Sequence, residues 1–220
     1  MSKRLNDGWK YSVTFLAGAC NTCAILVFGS TISHYSGNLT LSALAIAQKE
    51  YWILASLALN ICMFILGAMI AGYYFYNEEG VIKPYYLSIL IIFGGSLIIS
   101  HYLFTQTNFI VRILAFGMGI LNGIYLKENK TLIRTTHMSG YLTDIGVNMG
   151  RFSQGDKDAL ANLSIAVRQV AIFVSGCLST AIIYQLLGDN IIYIIGIMYI
   201  SVGFVLQSIR ILESRFIKTI

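Results

Sequence analysis

The sequence predicts an all-α fold: a polytopic membrane helical bundle of six spans plus two half-helix or broken-helix segments, arranged as an internal inverted repeat. Three observations carry that expectation. Of 220 residues, 56% are hydrophobic and 11% charged, with mean hydropathy +0.71, well outside the range of a soluble domain of this length. Six apolar runs are each long enough to cross a bilayer as a helix. One polar motif occurs twice between them, as "HYSGNLT" at 34–40 and "HMSGYLT" at 137–143.

The runs lie at 11–29, 51–76, 84–104, 108–126, 161–185 and 190–208. They recur to the end of the chain, which predicts repeated spanning rather than secretion. The first follows Lys3, Arg4 and Lys10 as a signal-peptide core would, but it holds part of the repeat and reads as a retained span. Orientation follows from the basic residues. With six spans and the N-terminus inside, twelve Lys and Arg residues fall on the cytoplasmic side and only Lys49 outside, with Arg112 and Arg168 within spans. Letting both motif segments cross gives eight spans and moves Lys83, Lys127, Lys130 and Arg134 outside, a split of nine against four. The positive-inside rule therefore favours six, with both termini cytoplasmic.

The net charge of +5 reports orientation, and no basic patch with interleaved aromatics suggests nucleic acid. Cys20, Cys23, Cys62 and Cys177 all fall in apolar runs, where thiols act as small packing residues. Cys20 and Cys23 share a helix face but lack further ligands, so no metal and no cofactor is expected.

Three landmarks recur in order: "GACN" (Gly18 to Asn21) with "GILN" (Gly119 to Asn122), the two polar motifs, and "FILGAMIAG" (64–72) with "FVSGCLSTA" (173–181). The offsets are 101, 103 and 109, and preserved order with short insertions is the signature of duplication. The chain reads as one membrane domain, with repeat 1 at about 11–104 and repeat 2 at about 108–208. Three crossings per repeat would insert the second upside down relative to the first.

Non-helical backbone survives at membrane depth only inside protein or beside water. Ser, Gly and Asn at the motif favour a break and a helix N-cap, and Asn38 to Gln48 predicts a short helix of about 16 Å, half a hydrocarbon core. Two such half-helices from opposite faces would aim partially positive N-termini at a shared centre, which suits anionic or hydrogen-bond-accepting solutes. The candidate solute-binding residues are His34, Ser36, Gly37, Asn38 and Thr40 with His137, Ser139, Gly140, Thr143 and Asp144. Ser36 and Thr40, like Ser139 and Thr143, are four apart and share a face. Each histidine could bind solute, gate it or carry a proton, or could instead hydrogen-bond the broken backbone. Asp144 replaces Leu41 in the second copy and is a candidate ion or proton ligand, with a helix cap as the alternative.

Asn21 and Asn122 sit within their spans and should face the interior as supporting groups. Arg168 is expected to snorkel at the cytoplasmic end of its span and Arg112 lies near the outer end of its own. Gly67, Gly72, Gly119, Gly123 and Gly176 are expected at close helix contacts, and His101 at an interface.

At "GACNTCAILVFGSTISHYSGNLT" and "GILNGIYLKENKTLIRTTHMSGYLTDIG" the chain resembles the YoaK family of bacterial transmembrane proteins, a domain of unknown function. The resemblance covers nearly the whole chain, with Asn21 standing where the family pattern has aspartate and Ser36 and Ser139 where it favours threonine. It implies a bacterial inner-membrane location. The expected function is a small-solute channel or secondary transporter, for an anion or a neutral metabolite. The alternative is a non-transporting membrane scaffold or an intramembrane enzyme acting on lipid. The sequence holds no HExxH, nucleophile elbow or phosphate loop, which argues against an enzyme. Expected partners are the lipid bilayer and an unidentified small solute. Six spans are few for a pore in one chain, which leaves room for a homodimer or larger homo-oligomer.

Overall fold

The computed structural model describes residues 3–75, 84–104, 107–124, 126–128 and 131–218. Lys83 and Lys130, two of the charges used above to set orientation, lie outside them. The described chain is overwhelmingly helical: α1 (Lys3–Phe28), α2 (Tyr35–Ala47), α3 (Tyr51–Phe75), α4 (Pro84–Leu103), α5 (Thr107–Gly123), α6 (Met138–Ser153), α7 (Asp158–Leu187) and α8 (Ile191–Lys218). Among the described residues four stretches are long and apolar enough to cross a bilayer: Asp7–Phe28, Tyr51–Phe75, Tyr86–Leu103 and Asp158–Leu212. The last spans 55 residues and holds two helices, α7 and α8, joined by a tight turn at Gly188–Asn190. This is a helical membrane protein.

Within the all-α class two details differ from expectation. Strands β1 (Leu126–Glu128) and β2 (Thr131–Ile133) form a short antiparallel ribbon. The run expected as a helix over 108–126 therefore ends at Gly123, at 17 residues. Its last turn gives way to this ribbon, whose first strand, "LKE", is too polar to continue an apolar helix. The short helices also begin earlier than the motif glycines suggested. α2 starts at Tyr35 rather than Asn38, so Gly37 lies inside its first turn, and the break falls at 29–34, where Gly29 takes φ +62°. A left-handed φ is the conformation that a side chain would resist.

α1, α4, α5 and α8 supply most of the core, with Trp9, Leu16, Tyr86, Leu90, Met118 and Tyr199 almost completely buried. Around it the helices form three main pairs, α1 with α7, α3 with α5, and α4 with α8. α1 and α7 run parallel, since Tyr11 meets Arg168, Thr14 bonds Gln169 and Leu26 meets Tyr184 in ascending order. α3 and α5 are parallel too, with Phe64 at Gly119 and Ala71 at Gly123. α4 and α8 are antiparallel, because Leu87 meets Gly203, Gly94 meets Gly196 and His101 meets Tyr193.

The parallel pairs touch backbone to backbone through reciprocal glycines. A Cβ on Gly18 would lie 2.1 Å from the Phe173 carbonyl oxygen, and one on Gly176 would lie 2.1 Å from that of Phe15. The same exchange links Gly67 to Phe116 and Gly119 to Phe64, again at 2.1 Å. In lipid, where burying apolar side chains drives little association, such close approach supplies the van der Waals contact that holds helices together. Gly72, expected at a contact, has nothing within 4 Å of its Cβ direction.

α2 packs on α3 and α6 on α7, each pair a helical hairpin at the edge of the bundle. Both short helices close with the same C-terminal motif. Glu50 N–H donates to Ala45 O at 2.8 Å with Lys49 at φ 60°, and Asp156 N–H donates to Arg151 O at 3.2 Å with Gly155 at φ +89°. The left-handed residue lets the chain reverse while the last carbonyls keep partners.

Three outcomes follow for thermal unfolding in detergent. Gly119→Val or Gly176→Val is expected to cost about 1–3 kcal/mol or more through overpacking against backbone, whereas Gly72→Ala should be neutral or mildly stabilising. Lys49→Gly should stabilise by up to about 1 kcal/mol by relieving the left-handed backbone.

Candidate functional site

The first broken segment is held by two asparagines. Beyond Phe28 the chain turns back along α1, and Ser33 Oγ donates to Asn21 Oδ1 at 2.9 Å. Asn21 lies seven residues before the end of α1, about 10 Å back along its axis. Asn38, 3% exposed, donates through Nδ2 to Thr31 O at 3.4 Å and accepts from the Thr31 hydroxyl. The Tyr35 ring then packs on Phe64 of α3, with centroids 4.2 Å apart. This fixes the start of α2 at the middle of α3, which is 25 residues long.

The second segment repeats the scheme with different side chains. Asn122 donates through Nδ2 to the Thr136 hydroxyl, and its Oδ1 accepts the Thr136 N–H at 3.2 Å and the Thr135 hydroxyl at 3.3 Å. The Tyr141 hydroxyl accepts the Arg134 N–H at 3.2 Å. Thr31 and Asn38 become Arg134 and Tyr141 at the motif offset of 103, so the same loop position is anchored seven residues back in both halves.

His34 and His137 occupy the N-cap positions of α2 and α6, and neither side chain makes a capping hydrogen bond. Both are exposed on the chain. They are not equivalent in detail. The His137 ring lies over the first turn of α6, where a Cβ on Gly140 would come within 2.9 Å of its Cε1 and Nδ1 atoms, whereas nothing lies within 4 Å of Gly37. Ser36, Thr40, Ser139 and Thr143 are exposed, and each threonine hydroxyl donates to its serine's carbonyl, at 3.1 and 3.0 Å. Those hydroxyl protons are therefore spent within the helix.

A cavity of about 380 Å³ opens at the start of α6, lined by Phe64, Asn122, Arg134, Thr136 and His137. Phe64 thus joins the two motifs, with Tyr35 on its ring and His137 across the cavity. Of the residues singled out in the sequence, His137 and Asn122 line this space. Ser36, Gly37, Asn38 and Thr40 do not, and α2 and α6 do not pack extensively on one another. Asp144 belongs to a separate cleft of about 180 Å³ between α6 and α7, with Tyr141, Asn148, Arg151 and Asn162. It is exposed and caps no helix start. Sequence reasoning passed over Arg134, Thr136 and Phe64. Arg134 stands three residues before the motif histidine but read only as an orientation charge.

Below this cleft Arg151 donates from Nε and Nη2 to Asp156 Oδ2 at 3.0 and 2.7 Å, and Asp156 Oδ1 accepts the Asp158 N–H at 3.0 Å. The Arg151 hydrogen bonds hold the Asp156 carboxyl below its usual range. Among the described residues no cluster of three or more metal-ligating side chains occurs, and the four cysteines are unpaired.

A helical membrane protein whose apolar bundle is entered by two broken, asparagine-anchored segments is the class that these features define. Residues 11–205 match the family described as "Protein of unknown function (DUF1275)", and the chain belongs to that family. No curated protein and no solved structure matches it.

Asn122→Ala leaves the Thr135 and Thr136 groups without their shared partner, and should lower the unfolding midpoint and raise protease sensitivity of 124–137 more than Asn122→Asp does. Gly140→Ala is expected to displace the His137 ring, read as a changed imidazole NMR shift, with Gly37→Ala leaving His34 unaffected. A depressed carboxyl pKa contributes stability that is present above the unfolded value and lost as pH falls through the folded one. The α6–α7 turn should therefore loosen on acidification in the parent chain, measured by hydrogen exchange at 154–158, and Asp156→Asn should remove that pH dependence.

Proposed function

We propose that the protein is a small-solute channel or secondary transporter made of two inverted repeats, each with three crossings and one re-entrant hairpin. The helix directions support this topology. Six crossings with re-entrant α2 and α6 require α1 parallel to α7, α3 parallel to α5, and α4 antiparallel to α8, which are the directions described above. Eight crossings would instead make α4 and α8 parallel. The reciprocal glycines add to it, since Phe15 and Gly18 correspond to Phe116 and Gly119, and Phe64 and Gly67 to Phe173 and Gly176, at the offsets of the sequence repeat. The α4–α8 crossing would then lie on an axis in the membrane plane.

On this topology α2, of 13 residues and about 20 Å, rises from mid-membrane to the outer surface, and α6 runs from mid-membrane to the cytoplasm. The observation that carries the transport reading is the cavity of about 380 Å³ at the start of α6, where Arg134, His137 and Asn122 meet in an otherwise apolar bundle. Polar groups at that depth are expensive, and a water-filled path is the setting that relieves the cost. The YoaK resemblance fits an inner-membrane location with both termini cytoplasmic, and the exposed apolar faces of α2 and α3 are available to lipid or to a second copy.

A scaffold would seal the same groups in dry packing, which sets the test. With the four native cysteines replaced, Ser36→Cys should react with a membrane-impermeant thiol reagent from the outer face and Ser139→Cys from the cytoplasmic face. Proteoliposomes should pass one member of a panel of anions and neutral metabolites, and His137→Ala should reduce that flux at least about tenfold, a loss of order 1.4 kcal/mol. Failure of reagent to reach either cysteine from any side, with no flux across the panel, would sink the transport reading in favour of the scaffold.

A further inference from the structure

We propose that the cavity at the start of α6 binds a small oxyanion, a carboxylate- or phosphate-bearing group, with Arg134 as the residue that recognises its charge. The proposal names the solute class of the site described above and rests on that reading for the site's role, although binding itself can be measured without transport.

Hydrogen-bond accounting separates the structural groups from the available ones. Asn122 spends both ends of its amide on Thr135 and Thr136. The Arg134 backbone N–H is committed to Tyr141, which fixes the residue at the rim. The Arg134 guanidinium and the His137 imidazole, which caps nothing, are left on the cavity wall. A guanidinium stays protonated and presents a planar fork of N–H donors that matches a carboxylate or phosphate with two parallel bonds.

Among the described residues no carboxylate lines the cavity, and Asp144 lines the other cleft. Among the described residues neither of the ion pairs Lys10–Asp7 and Arg151–Asp156 involves Arg134. Arg134 and His137 are both exposed where they line this space, so a solute can reach them. The start of α6, a helix of 16 residues, adds a partial positive charge to that of Arg134.

The repeat provides an internal comparison. At the position of Arg134 the first half has Thr31, whose hydroxyl is tied to Asn38. Both halves share the histidine and the asparagine anchor, and the arginine is confined to the second. Duplication therefore accounts for the loop, and loop anchoring does not account for the guanidinium. About 380 Å³ falls at the lower end of small-ligand pockets, room for a solute of a few carbons. The same guanidinium would also receive the phosphate of an anionic lipid headgroup.

The test uses the full chain in phosphatidylcholine nanodiscs and follows the unfolding midpoint during titration with sodium acetate or sodium phosphate. Acetamide and glycerol serve as uncharged counterparts and sodium chloride as the salt control. A saturable rise with an oxyanion beyond that with chloride, and none with acetamide, is expected. Arg134→Gln should abolish the rise, and Arg134→Lys, which keeps the charge but loses the fork, should weaken apparent affinity about three- to tenfold. A rise produced by replacing phosphatidylcholine with phosphatidylglycerol, lost in Arg134→Gln, would assign the same chemistry to a lipid headgroup. Equal effects of acetate and acetamide, or an Arg134→Gln titration that matches the parent, would overturn the proposal. Should Arg134→Gln not fold, an Arg134→Lys titration indistinguishable from the parent would do the same. Oxyanion binding without flux would remove the transport reading alone. Flux of a neutral solute, insensitive to Arg134 and without oxyanion binding, would remove this proposal alone.

Discussion

A chain that stops being helical inside an apolar bundle has to find partners for the amides it frees. In the second half Asn122 Oδ1 accepts the Thr136 N–H directly, and in the first half Asn21 Oδ1 holds the loop through the Ser33 hydroxyl, each from the helix that precedes the loop. An unsatisfied backbone group in hydrocarbon costs several kcal/mol, so the position of that asparagine sets how deep the returning loop can dock. The start of α2 or α6 follows from that depth, and the histidine N-cap follows from the start. α2 then packs on α3, and α6 on α7.

The glycine crossings set where those hairpins stand. Because Gly67 and Gly119 bring α3 and α5 into backbone contact, Phe64 is held one turn from Asn122, with its ring between Tyr35 and the cavity at His137. The corresponding crossing of α1 with α7 repeats the packing on the other side of the bundle. Two structural roles, loop anchoring and close packing, thus absorb most of the polar and small residues that the motifs contain. The side chains of Arg134 and the two histidines take no part in that anchoring, although the Arg134 backbone N–H does through Tyr141.

Much of the architecture was legible in the sequence. The apolar runs coincide with six helices to within about three residues except at the start of α1 (Lys3 against 11) and the far end of α8 (Lys218 against 208), and the repeat offsets pair residues that pack equivalently. Boundaries were less legible where the turn chemistry was local. Gly37 and Gly140 looked like helix breakers, but glycine tolerates a first turn, and the reversal was made earlier by Gly29 and a short coil. The motif hydroxyls looked available to solute because composition cannot show that a threonine donates to the carbonyl four residues back.

What the sequence determined by itself was the membrane class, the recurrence of the polar motif and the polar interruptions, because hydropathy and motif order are properties of residues in order. Which polar residues share a space was decided only by tertiary structure. Asp144 lies two helical turns beyond the N-cap His137, on nearly the same face, yet lines a different cavity, because that separation is about 10 Å along the axis and the walls there come from α6 and α7 instead of α3 and α5. Arg134 and Phe64 are seventy residues apart and line the same one, because a glycine crossing brings α3 against α5 at the level where the second loop returns.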